Sequence, residues 1–190
     1  MEDQNIDRRV RKTKKQLRQA LMDLMSEKPS KSISVRELAE RADINRGTFY
    51  IHYKDVGDLL QRLEDEMAER LILVCKKYAY ANTEVSAFPY LTELYRFAQE
   101  NADLCQVLLG PNGDRVYTER ICSILHSYFL RDFVARFYNG DRDRLEYFCC
   151  FIVSGNLTLT LQWLSSGTKE TPEEMAQLAG GIIMDGVRAL

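Results

Sequence analysis

The sequence predicts an all-α protein. Apolar residues recur at helical spacing through most of its 190 residues, and no stretch alternates as half-buried strands do. Capping and turn residues divide this pattern into about nine helices. We expect a three-helix head over residues 1–56 and a larger helical body over residues 57–190.

The first predicted helix covers residues 8–27 and carries a strongly basic run, RRVRKTKK, at residues 8–15. Its expected buried stripe is Leu17, Ala20, Leu21, Leu24 and Met25. Residues 8–54 hold 13 Lys and Arg against 5 Asp and Glu, although the whole chain has a net charge of −2. A basic head on an acidic body is expected where one end of a protein meets phosphates. The alternative for the run alone is a solvated arm without a partner.

Two short helices joined by a tight turn are predicted over residues 34–54, SVRELAERADINRGTFYIHYK. Ser34 followed by Glu37 is a capping box, so the first of these helices begins at about residue 35. Asp43 falls at the turn, because Asp tolerates a left-handed backbone better than most residues do. Asn45 then caps the second helix, which covers residues 46–53.

The second helix of this pair has the layout of a recognition helix. We expect it to bury Phe49 and Tyr53. Its expected outward-facing residues are Arg46, Gly47, Thr48, Tyr50 and His52. Helix-turn-helix proteins place such a helix in the major groove of double-stranded DNA. The segment therefore predicts DNA binding.

The segment SVRELAERADINRGTFYIHY resembles the DNA-binding heads of the TetR family of regulators, which commonly read S/T-x-R-x-L-A-x-x-A-x-x-S-x-x-T-x-Y-x-H-F. The resemblance covers about residues 8–60. It implies that Arg36 and Thr48 reach bases. The expected phosphate contacts are Ser34, Tyr50, His52 and Lys54, and the remaining expected DNA-binding residues are Arg11, Thr13, Lys14, Asn45, Arg46 and Gly47.

Two positions depart from the family pattern. Asp43 stands at the turn, where the family favours Gly. Val56 and Gly57 stand where a Lys-Glu pair often opens the next helix. We therefore expect one phosphate contact that is usual in the family to be missing.

The body is expected to contain the remaining helices. A long helix over residues 57–80 follows the head, and others are expected at residues 104–109, 115–138 and 141–166. Gly110-Pro111-Asn112-Gly113 and Asn139-Gly140 mark turns between them. Thr171-Pro172-Glu173-Glu174 has the pattern of an N-cap, a first-turn proline and an acidic first turn, so it predicts the start of the last helix.

The last two helices predict a homodimer. Apolar residues are spread around most of the helix over residues 141–166, which is more than one core face needs. Gly180, Gly181 and Gly186 would each cost about 1 kcal/mol relative to Ala, unless another helix approaches closely. We expect a two-fold, four-helix interface formed by Phe148, Ile152, Leu159, Trp163, Leu178 and Ile182. The alternative is a monomer that buries both helices internally.

The aromatic middle of the chain suggests an internal cavity. The candidate ligand-binding residues are Tyr95, His126, Phe129, Phe133 and Gln162, with plain core packing as the alternative for each. The TetR resemblance implies an effector bound in the body that changes the spacing of the two heads of a dimer. The run FIVSGNLTLTLQWLSSGTKETPEEMA also resembles the body of the dihydroxyacetone-kinase-regulator-like branch, in which some members respond to a protein partner.

These features predict a sequence-specific transcriptional regulator that binds a pseudo-palindromic operator, most often as a repressor released by its effector. Two alternatives stay open: a regulator or co-activator controlled by a protein partner, and a DNA-tethered structural or division factor. An enzyme is not expected. The chain has two His and lacks H-E-x-x-H, G-x-S-x-G and a phosphate-cradling Gly-rich loop. We expect no cofactor and no metal.

The sequence also predicts where the protein works. No stretch is expected to be apolar enough to span a membrane, and the N-terminus lacks the apolar region of a signal peptide, so we expect a cytoplasmic protein at the nucleoid. The five Cys show no C-x-x-C spacing and are expected to be reduced thiols. The alternative for Cys149 and Cys150 is an oxidation or metal sensor.

Overall fold

The computed structural model describes residues 2–79, 88–129 and 141–189. Over these ranges the chain forms no strand. Its helices are α1 (Glu2–Glu27), α2 (Val35–Arg41), α3 (Arg46–His52), α4 (Val56–Ala79), α5 (Phe88–Glu100), α6 (Ala102–Leu108), α7 (Arg115–Phe129), α8 (Arg142–Ser165) and α9 (Pro172–Ala189), with a short 3-10 turn at Ser30–Ser32. The all-α prediction is confirmed. The predicted end of the helix over residues 115–138 and the turn at Asn139-Gly140 lie outside the described residues.

Helix α1 begins at Glu2, six residues earlier than the predicted start at residue 8. Local hydrogen bonds begin α2 and α3 where the sequence predicts. The hydroxyl of Ser34 accepts from the Glu37 amide at 3.2 Å, and the Ser34 amide donates to Glu37 Oε2 at 3.0 Å, which completes the capping box. Asn45 Oδ1 accepts from the Gly47 amide at 2.8 Å and begins α3. Asp43 has a φ of 53°, so the turn between the two helices uses a left-handed backbone.

Helices α1, α2 and α3 pack around one buried cluster. The entire predicted stripe of α1 is buried: Leu17, Ala20, Leu21, Leu24 and Met25. Leu38 of α2 and Phe49 of α3 have no exposed surface. The ring of Phe49 lies 5.8 Å from that of Tyr53, which is also buried. Burial of Phe49 and Tyr53 fixes which face α3 turns outward.

Helix α4 joins the head to the body. It contacts α1 and the 3-10 turn on the side of the head, and α5 and α7 on the side of the body. Asp55 Oδ1 accepts from the Asp58 amide at 2.8 Å at the start of α4, and Val56 is buried. The position at which we expected a missing phosphate contact is therefore a core residue. Because α4 packs on both parts, the boundary at residues 56/57 stays a prediction.

The body packs α9 along α5 and α7 along α8. Trp163 of α8 is 3% exposed, and its Nε1 donates to the Glu170 carbonyl at 3.0 Å. The Trp163 ring meets that of Tyr95 edge-on at 5.6 Å. Ile152 is buried as well. The prediction that Ile152 and Trp163 lie at a dimer interface is corrected, because both side chains belong to the core of a single chain.

The predicted close approach to the glycines of α9 is seen at Gly186. A Cβ at Gly186 would lie 2.6 Å from Cε2 of Phe148, so α8 packs closely on α9 here. A Cβ at Gly181 would meet no atom within 4 Å. We expected Phe148 at the dimer interface. At least one edge of its ring instead packs against α9 of the same chain.

Helix α8 is more apolar than expected. The segment Asp143–Ser165 is long and apolar enough, by length and composition alone, to cross a membrane, with 28% of its most apolar window buried. The expectation that no stretch reaches this apolarity was wrong. Cys149 faces the core, whereas Tyr147 and Phe151 are 77% and 71% exposed. Helix α8 is apolar on two sides, and the chain's own core covers one of them. The other apolar side is available to contact a second surface.

The five cysteines, all of which lie in the described residues, form no disulfide with one another. Cys149 is buried and its neighbour Cys150 is exposed, because adjacent residues of a helix point about 100° apart. The two thiols therefore lie in different surroundings.

One carboxyl group is buried between α4 and α7. Glu64 is 7% exposed, and burial followed by the nearby Asp114 carboxylate raises its pKa to about 7, an effect that Arg120 partly opposes. The folded chain therefore holds a proton that the unfolded chain has lost between about pH 4.5 and 7. Stability falls as the pH rises through this window.

We predict that Glu64→Gln removes this pH dependence. The variant should gain on the order of 1–3 kcal/mol over the wild type at about pH 8 and nothing at about pH 4.5, since only an ionised Glu64 is penalised by burial. Urea unfolding at both pH values measures the gain. Glu69→Gln, an exposed change on the same helix, is the control. An equal gain at both pH values would contradict this assignment.

We also predict that Phe49→Ala destabilises the protein by about 3–5 kcal/mol, because it leaves a cavity in the head core. Ile51→Ala, two residues along α3 and 77% exposed, should change stability by less than about 0.5 kcal/mol. Urea midpoints of the two variants give the comparison. Equal losses would show that α3 is oriented differently.

Candidate functional site

Helix α3 presents one face to solvent. Phe49 and Tyr53 point into the head, whereas Tyr50 and Ile51 are 54% and 77% exposed. Arg46, Gly47 and Lys54 are also exposed, and Thr48 and His52 are half-buried. The structure thus brings the predicted contact residues of this helix onto one outer surface, which is free to enter a groove.

Sequence reasoning missed Ile51. An isoleucine in a short helix was not counted among the outward-facing residues, yet position 51 lies two residues from both Phe49 and Tyr53. Two residues correspond to about 200° around a helix, so Ile51 lies opposite the buried pair. An exposed apolar side chain in the major groove can contact the methyl group of thymine.

Arg36 stands in the first turn of α2 with 74% of its side chain exposed. Its Nε donates to Glu40 Oε1 at 2.8 Å. This bond and the charge of Glu40 raise the pKa of Arg36. The contact to Glu40 leaves the terminal nitrogens Nη1 and Nη2 to donate elsewhere, and such a pair can bind a guanine edge.

The capping residues Ser34 and Asn45 differ in whether a hydrogen-bond donor remains available to bind DNA. Both donors of Ser34, its hydroxyl and its amide, point to Glu37 Oε2 at 3.0 Å. A phosphate oxygen only accepts hydrogen bonds, so Ser34 would have to break its capping box to bind one. Asn45 caps α3 through Oδ1, and its Nδ2 is not part of that bond. The geometry favours Asn45 over Ser34 as a phosphate contact.

The positive charge of the head is concentrated on α1. Arg8, Arg9, Arg11, Lys12, Lys14 and Lys15 are all exposed, and Thr13 between them is half-buried. Elsewhere in the head, Lys28 pairs with Glu37 and Arg41 with Glu27. The net positive potential therefore centres on the first helix.

A cavity of about 100 Å³ lies inside the body. Its described lining comes from α4 to α8: Met67, Leu71, Leu91, Leu94, Tyr95, Phe97, Ala98, Cys105, Leu109, Tyr117, Ile121, Leu125, Asn156, Leu157, Thr160 and Leu161. Most of this lining is hydrocarbon. The cavity is thus suited to an apolar molecule.

The polar groups of the lining are paired with one exception. Tyr95 donates to Asn156 Oδ1 at 3.1 Å, and Asn156 Nδ2 donates to the Ile152 carbonyl at 3.0 Å. Thr160 donates to the Asn156 carbonyl at 2.8 Å. The hydroxyl of Tyr117 is buried and has no hydrogen-bond partner among the described residues.

Of the predicted ligand-binding residues, Tyr95 lies in this lining. His126 does not, because its Nε2 lies 3.2 Å from Glu146 Oε1 and links α7 to α8. Gln162 is exposed, since α8 turns residues 156, 157, 160 and 161 toward the cavity. Phe133 and the side chain of Phe129 fall outside what the structure describes. The polar lining residues that the sequence did not indicate are Tyr117, Asn156 and Thr160.

The cavity and the head are linked through the start of α7. Asn112, in the loop before α7, donates from Nδ2 to the Met25 carbonyl at the end of α1 at 3.0 Å. Arg120, one turn after Tyr117, pairs with Asp65 of α4. A shift of α7 would therefore be felt by both α1 and α4.

An exposed apolar patch covers the outer side of α8 and α9. Tyr147 and Phe151 of α8 are 77% and 71% exposed, and Leu178 and Ile182 of α9 are 52% and 54% exposed. Leu159 is half-buried. Sequence reasoning named Leu178, Ile182 and Leu159 for an interface and missed Tyr147 and Phe151, whose i, i+4 spacing marks one helix face.

Comparisons with known proteins agree with this geometry. Residues 17–63 match the family model for bacterial regulatory proteins of the tetR family, and residues 86–185 match the model for a transcriptional regulator C-terminal region. The uncharacterized HTH-type transcriptional regulator YxbF of Bacillus subtilis (strain 168) is 32% identical over 71 residues, which are 37% of this chain and only 19% of that relative.

Solved structures share the fold over nearly the whole chain. The dihydroxyacetone kinase operon activator DhaS superposes with a TM-score of 0.59 at 17% identity, covering 94% of this chain and 97% of its own. The transcriptional regulator FadR of Bacillus subtilis, solved in complex with stearoyl-CoA, gives a TM-score of 0.63 at 14% identity, covering 90% and 98%. At such identities the likeness shows the fold alone. Because the C-terminal model by itself spans more than half of the 190 residues and the N-terminal model covers the head, the chain belongs to the TetR family of transcriptional regulators.

Proposed function

We propose that this regulator is a homodimer that reads a pseudo-palindromic DNA operator and represses transcription until an effector binds in its body. Helix α3 carries the proposal: Asn45 caps it, Phe49 and Tyr53 anchor it, and Tyr50 and Ile51 stand exposed on its outer face. Two such helices in a dimer would enter adjacent major grooves on one side of the duplex. The protein would then act in the cytoplasm, at the nucleoid.

The exposed groups of the head suggest a division of roles. Arg36 would read a guanine through Nη1 and Nη2, and Thr48 and Ile51 would contact base edges and thymine methyl groups. The proposed phosphate contacts are Arg11, Thr13, Lys14, Asn45, Arg46, Tyr50, His52 and Lys54, with Gly47 allowing close approach of the backbone. Ser34 is left out because both its donors are used within the head. Phosphate contacts position the head, and base contacts give specificity.

The patch on α8 and α9 supports the dimer. Four large apolar side chains that are 52–77% exposed would be costly in water on a single chain. A two-fold axis that brings α8 and α9 against their copies would cover the patch of each chain with that of the other. The dimer would also hold the two heads at a fixed spacing, which a palindromic operator requires.

An effector in the cavity would act through packed contacts. A ligand that displaces α7 would strain the Asn112–Met25 hydrogen bond and the Arg120–Asp65 pair, which lead to α1 and α4. A difference of about 1–3 kcal/mol between the two states of the dimer is enough for a useful switch. FadR of Bacillus subtilis, which shares the fold, was solved with stearoyl-CoA, so the fold accommodates a small-molecule ligand.

A second candidate is an activator controlled by a protein partner. DhaS, which also shares the fold, is an operon activator. Expression from the bound promoter in a strain lacking the regulator separates the two, since loss of a repressor raises expression and loss of an activator lowers it. A DNA-tethered structural factor would instead occupy many dispersed sites rather than one or two intergenic ones.

We predict that selection from a random duplex library at physiological salt returns one pseudo-palindromic motif. Two half-sites about one helical turn apart, or a multiple of it, would follow from two α3 helices related by a two-fold axis. Sequencing of the bound pool is the measurement. A folded dimer that enriches no motif would contradict the proposal.

Substitutions in the head should separate base readers from phosphate contacts. Arg36→Ala should reduce the binding free energy by about 1–3 kcal/mol and relax the base preference at one position of each half-site. Tyr50→Phe should weaken binding to all duplexes about equally, because it removes the hydroxyl proposed to contact a phosphate. Fluorescence anisotropy with matched and single-base-changed duplexes measures both effects.

Arg188→Ala is the matched control for Arg36→Ala. Arg188 is 75% exposed and also pairs within its helix, with Asp185 at 3.1 Å, but it lies on α9. Its substitution should leave binding unchanged. If Arg36→Ala, like Tyr50→Phe, weakens the affinity for every duplex by the same factor, Arg36 is not a base reader.

We predict that Ile182→Arg converts the dimer into a monomer, because a charge would be buried without a partner at the patch. Leu73→Arg, at a 65% exposed position on α4 outside the patch, should leave the dimer intact. Sedimentation equilibrium at micromolar concentration distinguishes the two. Wild-type protein that sediments only as a monomer would exclude the dimer.

A further inference from the structure

We propose that Cys122 of α7 and Cys150 of α8 form a redox-active dithiol, which a hydroperoxide oxidises to a disulfide that ties the two helices together. This modification site lies outside the head and outside the described lining of the body cavity. Its effect on DNA binding rests on the proposed function above, whereas formation of the disulfide does not.

Helices α7 and α8 run in opposite directions. His126, near the end of α7, has its Nε2 3.2 Å from Oε1 of Glu146, near the start of α8. Tyr117 and Ile121, earlier in α7, line the body cavity together with Thr160, which lies further along α8. A step backward along α7 therefore corresponds to a step forward along α8.

This register places the two thiols opposite each other. Cys122 lies four residues before His126, and Cys150 lies four residues after Glu146. Four residues make about one helical turn, so each cysteine shares a helix face with its member of the pair. In antiparallel helices these two steps reach the same level, so Cys122 faces Cys150. A disulfide needs Cα atoms about 4.4–6.8 Å apart, a separation that facing residues of closely packed helices reach.

The electrostatics of Cys122 agree with this register. Burial, followed by the charges of Cys150 and Glu119, raises the pKa of the Cys122 thiol. A like charge has this effect only when it lies nearby. Cys150 is therefore close to Cys122 across the α7–α8 contact.

The remaining thiols are shielded. Cys75, Cys105 and Cys149 are buried, whereas Cys122 is half-buried and Cys150 is exposed. Oxidation of a thiol requires access to it and its thiolate form. Burial, with the charges of Glu146 and Cys150, raises the pKa of Cys149 to about 11, and its side chain points about 100° away from that of Cys150. The exposed Cys150 therefore reacts first, with Cys122 as its partner.

The oxidation proceeds in two steps. The Cys150 thiolate attacks one oxygen of the hydroperoxide, so an S–O bond forms, the O–O bond breaks, and the leaving oxygen takes up a proton and departs as water or an alcohol. The Cys122 sulfur then attacks the resulting sulfenic acid at Cys150 Sγ. The S–S bond forms, the S–O bond breaks, and hydroxide leaves with the Cys122 proton as water. The two thiols lose two electrons, which the peroxide gains.

The disulfide would act on the helix that leads to the head. Arg120, two residues before Cys122, pairs with Asp65 of α4, and Asn112 before α7 binds the Met25 carbonyl of α1. A covalent link to α8 would restrict the movement of α7 that changes these contacts. Oxidation should therefore change the affinity of the proposed dimer for its operator.

Mass spectrometry of the full chain tests the dithiol without DNA. Reduced protein is treated with one equivalent of hydrogen peroxide, alkylated with iodoacetamide and digested with trypsin without reductant. Trypsin releases residues 121–131, which contain Cys122, and residues 145–169, which contain Cys149 and Cys150. We expect these peptides to be linked, with a mass two hydrogen atoms below their sum. Fragmentation between residues 149 and 150 assigns the sulfur in wild-type protein.

Three variants give matched controls. Cys150→Ser should abolish the link, and Cys149→Ala should retain it. Cys122→Ala should increase trapping of the Cys150 sulfenic acid by dimedone at least about 10-fold over the wild type, because no second thiol consumes that acid. A purely structural role of Cys122 would not move this readout.

Three results would overturn the proposal: a link from Cys150 to Cys149, a link to Cys150 of a second copy, or oxidation of Cys150 that leaves Cys122 free for alkylation. In fluorescence anisotropy, oxidised wild-type protein should differ from reduced protein in operator affinity by at least about 5-fold, and Cys150→Ser treated alike should not. An unchanged affinity would remove the regulatory role. A linked protein that selects no DNA motif would leave the dithiol standing and overturn the proposed function instead.

Discussion

Burial of one face of α4 along nearly its whole length is the constraint on which the rest of the molecule depends. Val56 and Leu59 are buried near its start, and Cys75 is buried close to its end. In between, Met67 and Leu71 line the body cavity. One helix therefore contributes to the packing of the head and to the wall of the cavity. Neither part can repack without moving a helix that the other part uses.

This arrangement gives physical content to the link between ligand and DNA. The cavity lies among α4 to α8, and the start of α7 carries two contacts toward the head, Asn112 to Met25 and Arg120 to Asp65. Glu64 lies on the same boundary between α4 and α7. Its carboxyl group is buried, and its ionisation would destabilise the packing there. The region that would transmit a signal is thus also one where packing is not at its most stable. Elements that move in allostery are drawn from such regions.

Features set by neighbours along the chain could be predicted from the sequence. The capping box of Ser34 and Glu37, the Asn45 cap and the left-handed Asp43 depend on a few adjacent residues, and all three form as expected. Periodicity predicted the buried stripe of α1 because a helical stripe also depends only on spacing along the chain. The family resemblance of the head rests on these local features.

Features set by distant neighbours could not be predicted in the same way. The apolar sequence of α8 predicts that two of its sides are buried. Periodicity alone does not say which residues contact the body of the same chain. Trp163 and Ile152 pack inside, while Tyr147 and Phe151 stand outside. The unpaired hydroxyl of Tyr117 depends on α4, α6 and α7 meeting at one point. Gln162 misses the cavity because of the rotation of α8 about its axis. Each of these outcomes depends on tertiary packing rather than on local pattern.

Isoleucine methyl resonances, followed as an operator duplex is added, test the central claim most directly. Ile51 lies on the proposed DNA-reading face, Ile121 lines the cavity, and Ile182 lies on the proposed dimer interface. The account predicts the largest shift at Ile51, a smaller one at Ile121 through α4 and α7, and none at Ile182. An unmoved Ile51 with shifts confined to the body would contradict it.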